Sequence, residues 1–410
     1  MARPLVSIVT ANLNGRHHLE TFLGSVASQD FPVEEIEVIV VDNGSSDGSL
    51  ELLTGAFPTV KLIENSANLG FARANNQGAE VARGRYLALL NNDIRLESDW
   101  VARMVARRER ATPETVCVAS RILSWDGSTV DFIDGGMAFN GRGFQVDFGV
   151  PSTSPEGTAY PDELLFACGA AMLIDRDVYL AVGGFDEDYF AYFEDVDLGW
   201  RLWVLGYRVV FCPDAVAYHR RNASQPERHR QTFLLERNAL FSVFKNYDDA
   251  SLAAFLPASL LLTFKRADGW SGIDRANLAP GTHAPAAPPP GARWRELVGR
   301  VRRRTARVVE GHPAGSFPVR REAYATVAAA ADFLEQLPSL MEKRRRIQVA
   351  RKRPDSEVVP LFRAPFRLGN WPAGNDGGYA ALEALGVVDH LDSLLDDAKP
   401  APTREPTALA

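Results

Sequence analysis

Through the first 245 residues, apolar runs rich in Val, Ile and Leu alternate with stretches of helical spacing. "LVSIVT" (5–10), "EIEVIVVD" (35–42), "VKLIEN" (60–65) and "RYLALLNND" (85–93) read as strands. "HLETFLGSVAS" (18–28), residues 71–82 and residues 98–111 read as the helices between and after them. Continuous apolar strands alternating with helices predict an α/β architecture, a mostly parallel sheet covered on both faces. Ligands of such sheets bind beyond the carboxyl ends of the strands. The polar residues that close these runs, Asn12, Asn14, Asp42 and Asp93, are therefore expected along one edge.

Farther along the pattern shortens. Residues 115–150, with "DGSTVDFIDGGMAFNGRG", predict hairpins or a loop over the site. "LLFACGAAMLIDR" (164–176) predicts a strand, and "FEDVDLGWRLWVLG" (193–206) a helix ended by Gly206. "RVVFCPDAVAYH" (208–219) predicts strands broken by a turn at Pro213-Asp214. After about 250 the composition changes. "SLAAFLPASLLLTF" (251–264) is strongly apolar but shorter than the roughly 20 residues a bilayer span needs. The N-terminal run "LVSIV" meets Asn12 and Asn14 too soon for a signal peptide, so a cytoplasmic protein is expected. Residues 279–291, "APGTHAPAAPPPG", read as a proline-rich linker. From 291 to 353 there are 16 Lys/Arg against 6 Asp/Glu, either two solvated helices or a basic surface for anionic lipid headgroups. The expected units are 1–248, 249–290, 291–371 and an acidic, partly disordered tail at 372–410.

Charge and cysteines narrow the class. A net charge of −7 argues against a general nucleic-acid binder. Cys117, Cys168 and Cys212 have neither CxxC nor CxxH spacing, so the expectation is three buried thiols rather than disulfides or zinc.

Three separated clusters carry chemistry. "VVDNGSSDGS" (40–49) ends a strand at Asp42 and opens a Gly/Ser turn whose free N–H groups suit a polar or anionic ligand. Asp42 is either part of such a site or an ordinary helix cap. No Walker lysine and no GxGxxG is present. "NND" (91–93) offers one carboxylate, Asp93, to a hard divalent cation such as Mg²⁺ or Mn²⁺, enough where a diphosphate fills other positions. "YFEDVDLGWR" (192–201) crowds Glu194, Asp195 and Asp197 among aromatics. Such carboxylates repel, so at least one needs a raised pKa or a cationic partner. A raised carboxylate suits a general base; a solvated helix start is the alternative. His219, after a strand, is either a structural histidine or a second metal ligand.

Taken in order, "VSIVTANLNG", "VIVVDNGSSDGS", "NSANLGFARANNQGAEVARG", "YLALLNND", "ACGAAMLIDRDVYLAVGGFDEDYF", "FEDVDLGWRLWVLGYRV" and "AYH" resemble glycosyltransferase family 2, the inverting nucleotide-sugar transferases of the GT-A fold. The resemblance covers roughly residues 3–245 and is nearest to the rhamnosyltransferase-type members, which build bacterial cell-surface polysaccharide. It implies that Asp42 binds the pyrimidine base, with the backbone of Ala11, Asn12 and Leu13 at the nucleoside. Asn68, Arg73, Asn75 and Asn92 complete the nucleotide-binding set. Asp93 matches the last acid of the family's DxD metal motif, and His219 its distant metal-ligand histidine. Asp195, after Glu194, matches the catalytic base. Ala167, Cys168 and Gly169 fall at the donor sugar. The chain departs from the pattern at Leu13, often aromatic, and at Asn75, often arginine, where Arg73 lies close enough to replace the charge. The first acid of DxD is also missing, since Asn91 stands there.

The resemblance implies transfer from a dTDP- or UDP-linked sugar to a glycan or polyprenyl-linked acceptor, with peripheral contact to an anionic membrane. A nucleotidyltransferase on a similar sheet would need a glycine-rich loop followed by Arg or Lys, which is missing at the N-terminus. A silent nucleotide-binding scaffold would not need the Glu194-Asp195 pair.

Overall fold

The computed structural model describes residues 4–158, 160–221, 227–271, 319–366 and 376–397. The strands are β1 (Val6–Asn12), β2 (Ile36–Asp42), β3 (Lys61–Glu64), β4 (Tyr86–Leu90), β5 (Ile94–Leu96), β6 (Thr115–Ser124), β7 (Val130–Phe132), β8 (Gly135–Met137), β9 (Gly143–Gln145), β10 (Ala171–Asp175) and β11 (Arg208–His219). The first nine helices are α1 (Arg16–Ala27), α2 (Ser49–Ala56), α3 (Phe71–Val81), α4 (Trp100–Glu109), α5 (Pro155–Thr158), α6 (Arg176–Ala181), α7 (Glu194–Val204), α8 (Arg228–Asn246) and α9 (Asp249–Ser271). Five more follow: α10 (Arg321–Glu335), α11 (Leu337–Ala350), α12 (Asp355–Val358), α13 (Asp376–Ala384) and α14 (Val387–Asp396).

The main sheet runs β3-β2-β1-β4-β10-β6-β11-β5, with β7 added to β6; β8 and β9 form a separate hairpin. β1 to β4 are mutually parallel, as the apolar runs predict, and β6 and β11 are parallel to each other. β10 enters between β4 and β6 antiparallel to both, and β5 lies antiparallel to β11. The architecture is an α/β fold around this mostly parallel sheet, followed by a C-terminal helical extension. All five residues of β4 are buried, as a central strand covered on both faces requires.

Several expectations change. Residues 115–124 form a central ten-residue strand, and only the part after it makes hairpins. The predicted strand 164–176 is a strand only from Ala171; before it the chain is irregular. Residues 208–219 form one strand, with a register shift between Cys212 and Val216 absorbing the Pro213-Asp214 step. Cys168 is only partly buried, while Cys117 and Cys212 are buried, and all three are free thiols. The apolar stretch 251–264 lies inside the 23-residue α9, which continues across Pro257. Among the described residues no helix is long and apolar enough to cross a membrane. Part of the tail is helical: α13 and α14 lay Leu382, Val387 and Leu391 into the core. The proline-rich segment 279–291 and the basic residues 293–307 lie outside the described residues.

Several basic residues of α11 and its exit turn inward. Arg344 donates to the carbonyls of Phe244 and Tyr247, Gln348 to those of Lys245 and Tyr247, and Arg351 to that of Asn246. Arg353 donates to the carbonyls of Trp203, Gly206 and Tyr207. These groups lie at the C-terminal ends of α8 and α7, where unpaired carbonyls and the negative end of the helix dipole attract cations. Arg345 and Arg346 are exposed, and both pair with Glu342.

Candidate active site

The parallel register sets Asn12 opposite Asp42 at the exit edge of β1 and β2. Asp42 is fully buried. Its Oδ1 accepts from Asn12 Nδ2 (2.8 Å) and Ser45 Oγ (2.6 Å), and its Oδ2 from the N–H groups of Gly44 (3.1 Å) and Ser45 (2.8 Å). It therefore shapes the turn 43–45 and caps no helix, because α2 starts only at Ser49. Asn12 Oδ1 accepts from Asn92 Nδ2 at 2.7 Å, which ties the exit of β4 into the same cluster. A Cβ on Gly15 would lie 2.2 Å from that amide nitrogen and 2.5 Å from Asn12 Oδ1, so a side chain there would push this hydrogen-bonded pair apart. Ala11 and Leu13, both partly exposed, flank Asn12. Asn68 Oδ1 closes the turn before α3 on Gly70 N–H (2.9 Å). Asn75 is buried in α3, with Nδ2 on Phe71 O and no partner on Oδ1 among the described residues. Arg73 is half-exposed and faces Glu187 at 3.9 Å.

Asp93 and His219 meet despite their separation in sequence, because β5 pairs with the end of β11. His219 Nε2 lies 3.3 Å from Asp93 Oδ1, and its Nδ1 is 2.8 Å from Asp131 Oδ2. Arg221 grips Asp131 with Nε and Nη2 (2.6–3.0 Å). Burial opposes the imidazolium charge, but the hydrogen bonds to Asp131 and Asp93 outweigh it and raise the His219 pKa to about 9. Burial likewise opposes the charge on Asp93, yet His219 holds its carboxyl below the ordinary range. With Asp131 on Nδ1, Nε2 is aimed at Asp93. A carboxylate that orients a histidine toward an oxygen ligand is the pattern of a divalent-cation site. A cation that took the place of the Nε2 proton would meet one oxygen and one nitrogen donor and take its remaining ligands from a diphosphate. Among the described residues there is no cluster of three or more His, Cys, Asp or Glu spaced to hold a metal.

At the start of α7 the three acids of "EDVD" separate by environment. Asp197 turns fully inward, to Arg201 Nε (2.8 Å), Lys245 Nζ (3.0 Å) and Asn246 Nδ2 (2.9 Å). Glu194 is buried, with Oε2 unpaired among the described residues, and burial followed by the Asp195 charge raises its pKa to about 8. Asp195 is partly exposed. Its Oδ2 accepts from Gly169 N–H and its Oδ1 from Val196 N–H, each at 2.8 Å. Burial raises its pKa against the pull of these donors.

Residues 167–170 join the two sides. Ala167 is buried, Gly169 holds Asp195, and Ala170 O accepts from Asn91 N–H at 2.9 Å beside the Asn92–Asp93 turn. Cys168 feels the charges of both Asp195 and Asp131.

The loop delivering Asp195 is strained. Phe190, Tyr192 and Phe193 all have positive φ (63°, 71° and 65°). Each such non-glycine residue costs about 1–3 kcal/mol and needs support from its surroundings. The sequence reading missed Asp131, Lys245 and the α8 residues behind this loop. Asp131 left one faint signal, a lone acid inside the apolar strand "VDF".

The pattern of the family described as Glycosyl transferase family 2 matches residues 7–181. An N-acetylglucosaminyl-diphospho-decaprenol L-rhamnosyltransferase of Mycobacterium tuberculosis is 30% identical over 244 residues, covering 53% of this chain and 76% of the relative. An O-antigen biosynthesis protein RfbC of Myxococcus xanthus is 28% identical over 229 residues, 54% of this chain but 18% of its own length. Among solved structures, GalNAc-T7 with UDP, GalNAc and Mn²⁺ aligns with a TM-score of 0.50 at 18% identity. That alignment spans 62% of this chain and half of the other, and it bears on the fold alone.

Proposed function

The chain belongs to glycosyltransferase family 2, close to its rhamnosyltransferases, and on that footing we propose that it moves L-rhamnose from dTDP-rhamnose to a hydroxyl of a lipid-linked glycan, inverting the anomeric centre. The observation that carries this reading is Asp195. Its carboxylate is fixed by Gly169 N–H, on the stretch that adjoins the Asn92–Asp93 turn, and partly exposed to the crevice. Burial raises its pKa against the pull of two backbone N–H donors, which suits it to take a proton. Asp195 removes the proton of the acceptor hydroxyl. That oxygen forms a bond to the anomeric carbon as the bond to the diphosphate oxygen breaks, and the nucleotide diphosphate leaves with the electron pair.

Asp93 and His219 would hold a divalent cation, which supplies charge stabilisation to the departing diphosphate. Asp42 orders the turn at the pyrimidine, and the cluster around Asn12 links that turn to Asn92. The rhamnosyl donor and diphospho-polyprenyl acceptor are supported by the named activity of the mycobacterial relative. Contact with an anionic membrane is proposed for the basic residues 293–307, since Lys343, Arg344, Arg351 and Arg353 are engaged within the protein. Flotation with anionic liposomes at low salt tests it, and absence of binding removes it.

Asp195→Asn is expected to keep the thermal shift caused by dTDP and to lose transfer by about 10²–10⁴-fold. Near-native turnover would overturn the assignment. A thermal-shift series of dTDP, UDP and GDP, each with Mg²⁺, Mn²⁺ or EDTA, tests donor and metal together. The largest shift is expected for dTDP with metal, with little from metal alone, because among the described residues no three His, Cys, Asp or Glu gather to hold a metal.

A further inference from the structure

The backbone just before Glu194 and Asp195 holds a conformation its own side chains disfavour. Phe190, at φ 63° and ψ −61°, sits at the centre of a strained γ-turn in which Ala191 N–H donates to Tyr189 O at 2.7 Å. Tyr192 and Phe193 follow at positive φ, and α7 begins at the next residue. Inside the loop, Phe190 N–H donates to Glu187 O at 3.1 Å, but the carbonyls of Tyr189, Phe190, Ala191 and Tyr192 all accept from outside it.

The support comes from α8. Asn238 is fully buried, and its Nδ2 donates to the carbonyls of Tyr189 (3.0 Å), Ala191 (2.9 Å) and Tyr192 (2.7 Å). Its Oδ1 accepts from Arg237 Nε at 3.0 Å, and Arg237 Nη2 donates to the carbonyls of Asp188 (2.7 Å) and Tyr189 (3.1 Å). From the opposite side Phe190 O accepts from the N–H groups of Phe71 (2.6 Å) and Ala72 (3.2 Å), the first residues of α3. Gly70, at φ 93°, lets that approach happen: a Cβ there would meet Phe190 O at 2.7 Å. Three carbonyls converging on one point need a donor with more than one proton, and a primary amide supplies two. A carboxylate of the same size would set lone pairs against lone pairs.

We propose that Asn238 is a positioning residue whose side-chain amide clamps the strained 189–193 backbone in the one shape that aims Asp195 at the acceptor hydroxyl. The proposal rests on the reading of Asp195 as the base. It involves no contact between Asn238 and substrate.

The test uses the full chain with Asn238→Asp, Asn238→Ala and Asn238→Ser, the last keeping one donor and serving if the others fail to fold. The expected result is a fall in kcat of about 100-fold for Asp, less for Ala and least for Ser, since displacing a reacting group by about 1 Å has that effect. KM for the nucleotide sugar and the dTDP thermal shift should stay within about twofold of the parent, because the Asn12–Asp42 cluster is untouched. Amide hydrogen exchange should quicken across 189–196 while β1, β2 and β4 stay protected. Native kcat in Asn238→Asp, unchanged exchange across 189–196, or kcat and nucleotide affinity falling together with the stability of the whole fold would each overturn the proposal. If Asp195→Asn proves active, the base reading fails by itself, and the exchange data still decide whether Asn238 holds the loop.

Discussion

At the exits of β1, β2 and β4, Asn12, Asp42, Ser45 and Asn92 hold one another through short side-chain hydrogen bonds. Across the crevice, the residues that fix the loop before Asp195 come from α3, α8 and α11. Lys245 reaches Asp186 at 2.5 Å, and Lys343 pairs with both Asp186 and Asp188. The first region is compact, with small polar residues suited to turns joined side chain to side chain across adjacent strand exits. The second stores backbone strain and depends on charged groups gathered from distant parts of the chain. The difference suits the two tasks proposed for them. A nucleotide pocket can be preformed by local turns, whereas a base must be aimed to within a fraction of an ångström and is best mounted from several directions.

Four measurements would break or sharpen this contrast. Asp197→Ala leaves buried Arg201 without its carboxylate and Lys245 with Asp186 alone, and guanidinium unfolding should show a loss of about 3–5 kcal/mol. Asp42→Ala leaves buried donors unpaired on the other side, for a loss of about 1–3 kcal/mol. It should also weaken dTDP binding by calorimetry, while hydrogen exchange at 189–196 stays as in the parent. If Asp42→Ala proved the more damaging to stability, the contrast between a local and a braced side would be wrong. Lys343→Met should cost within about 1 kcal/mol, since Lys343 is a third exposed and Asp186 keeps Lys245. The last measurement is a slope with pH. Glu194 has a folded pKa of about 8 against an ordinary 4.5. Below about pH 4.5 it is protonated in both states. Between 4.5 and 8 the unfolded chain releases a proton that the fold retains, so this group's contribution to stability falls as pH rises. Glu194→Gln should flatten that part of the stability profile, and an unchanged slope would place the effect elsewhere.

Much of the β1–β4 half was legible because its strands are continuous apolar runs closed by polar residues, and the convergence of Asn12, Asp42 and Asp93 follows from parallel strands alone. The meeting of Asp93 with His219 came from the family resemblance, and the pairing of β5 with β11 supplies its physical cause. The base side was less legible. Asn238 sits in "RNALF" with no periodic cue, and the partners of Asp197 lie in α7 and α8, so only tertiary packing reveals them. The antiparallel β10 was hidden because an apolar strand carries no mark of its direction. The arginines of α11 were read as a solvated or lipid-facing surface because composition says nothing about where a side chain points.

Those arginines bear on how the protein can be divided. Arg344, Arg351 and Arg353 close the carbonyl ends of α8 and α7, the helices that carry Asn238 and Asp195. A cut after residue 248 would follow the change in composition but would also strip the stoppers from both helices. Exchange of catalytic halves between relatives should therefore treat 319–353 as cargo that travels with the transferase core, and a chimera that leaves it behind is expected to aggregate rather than to change specificity.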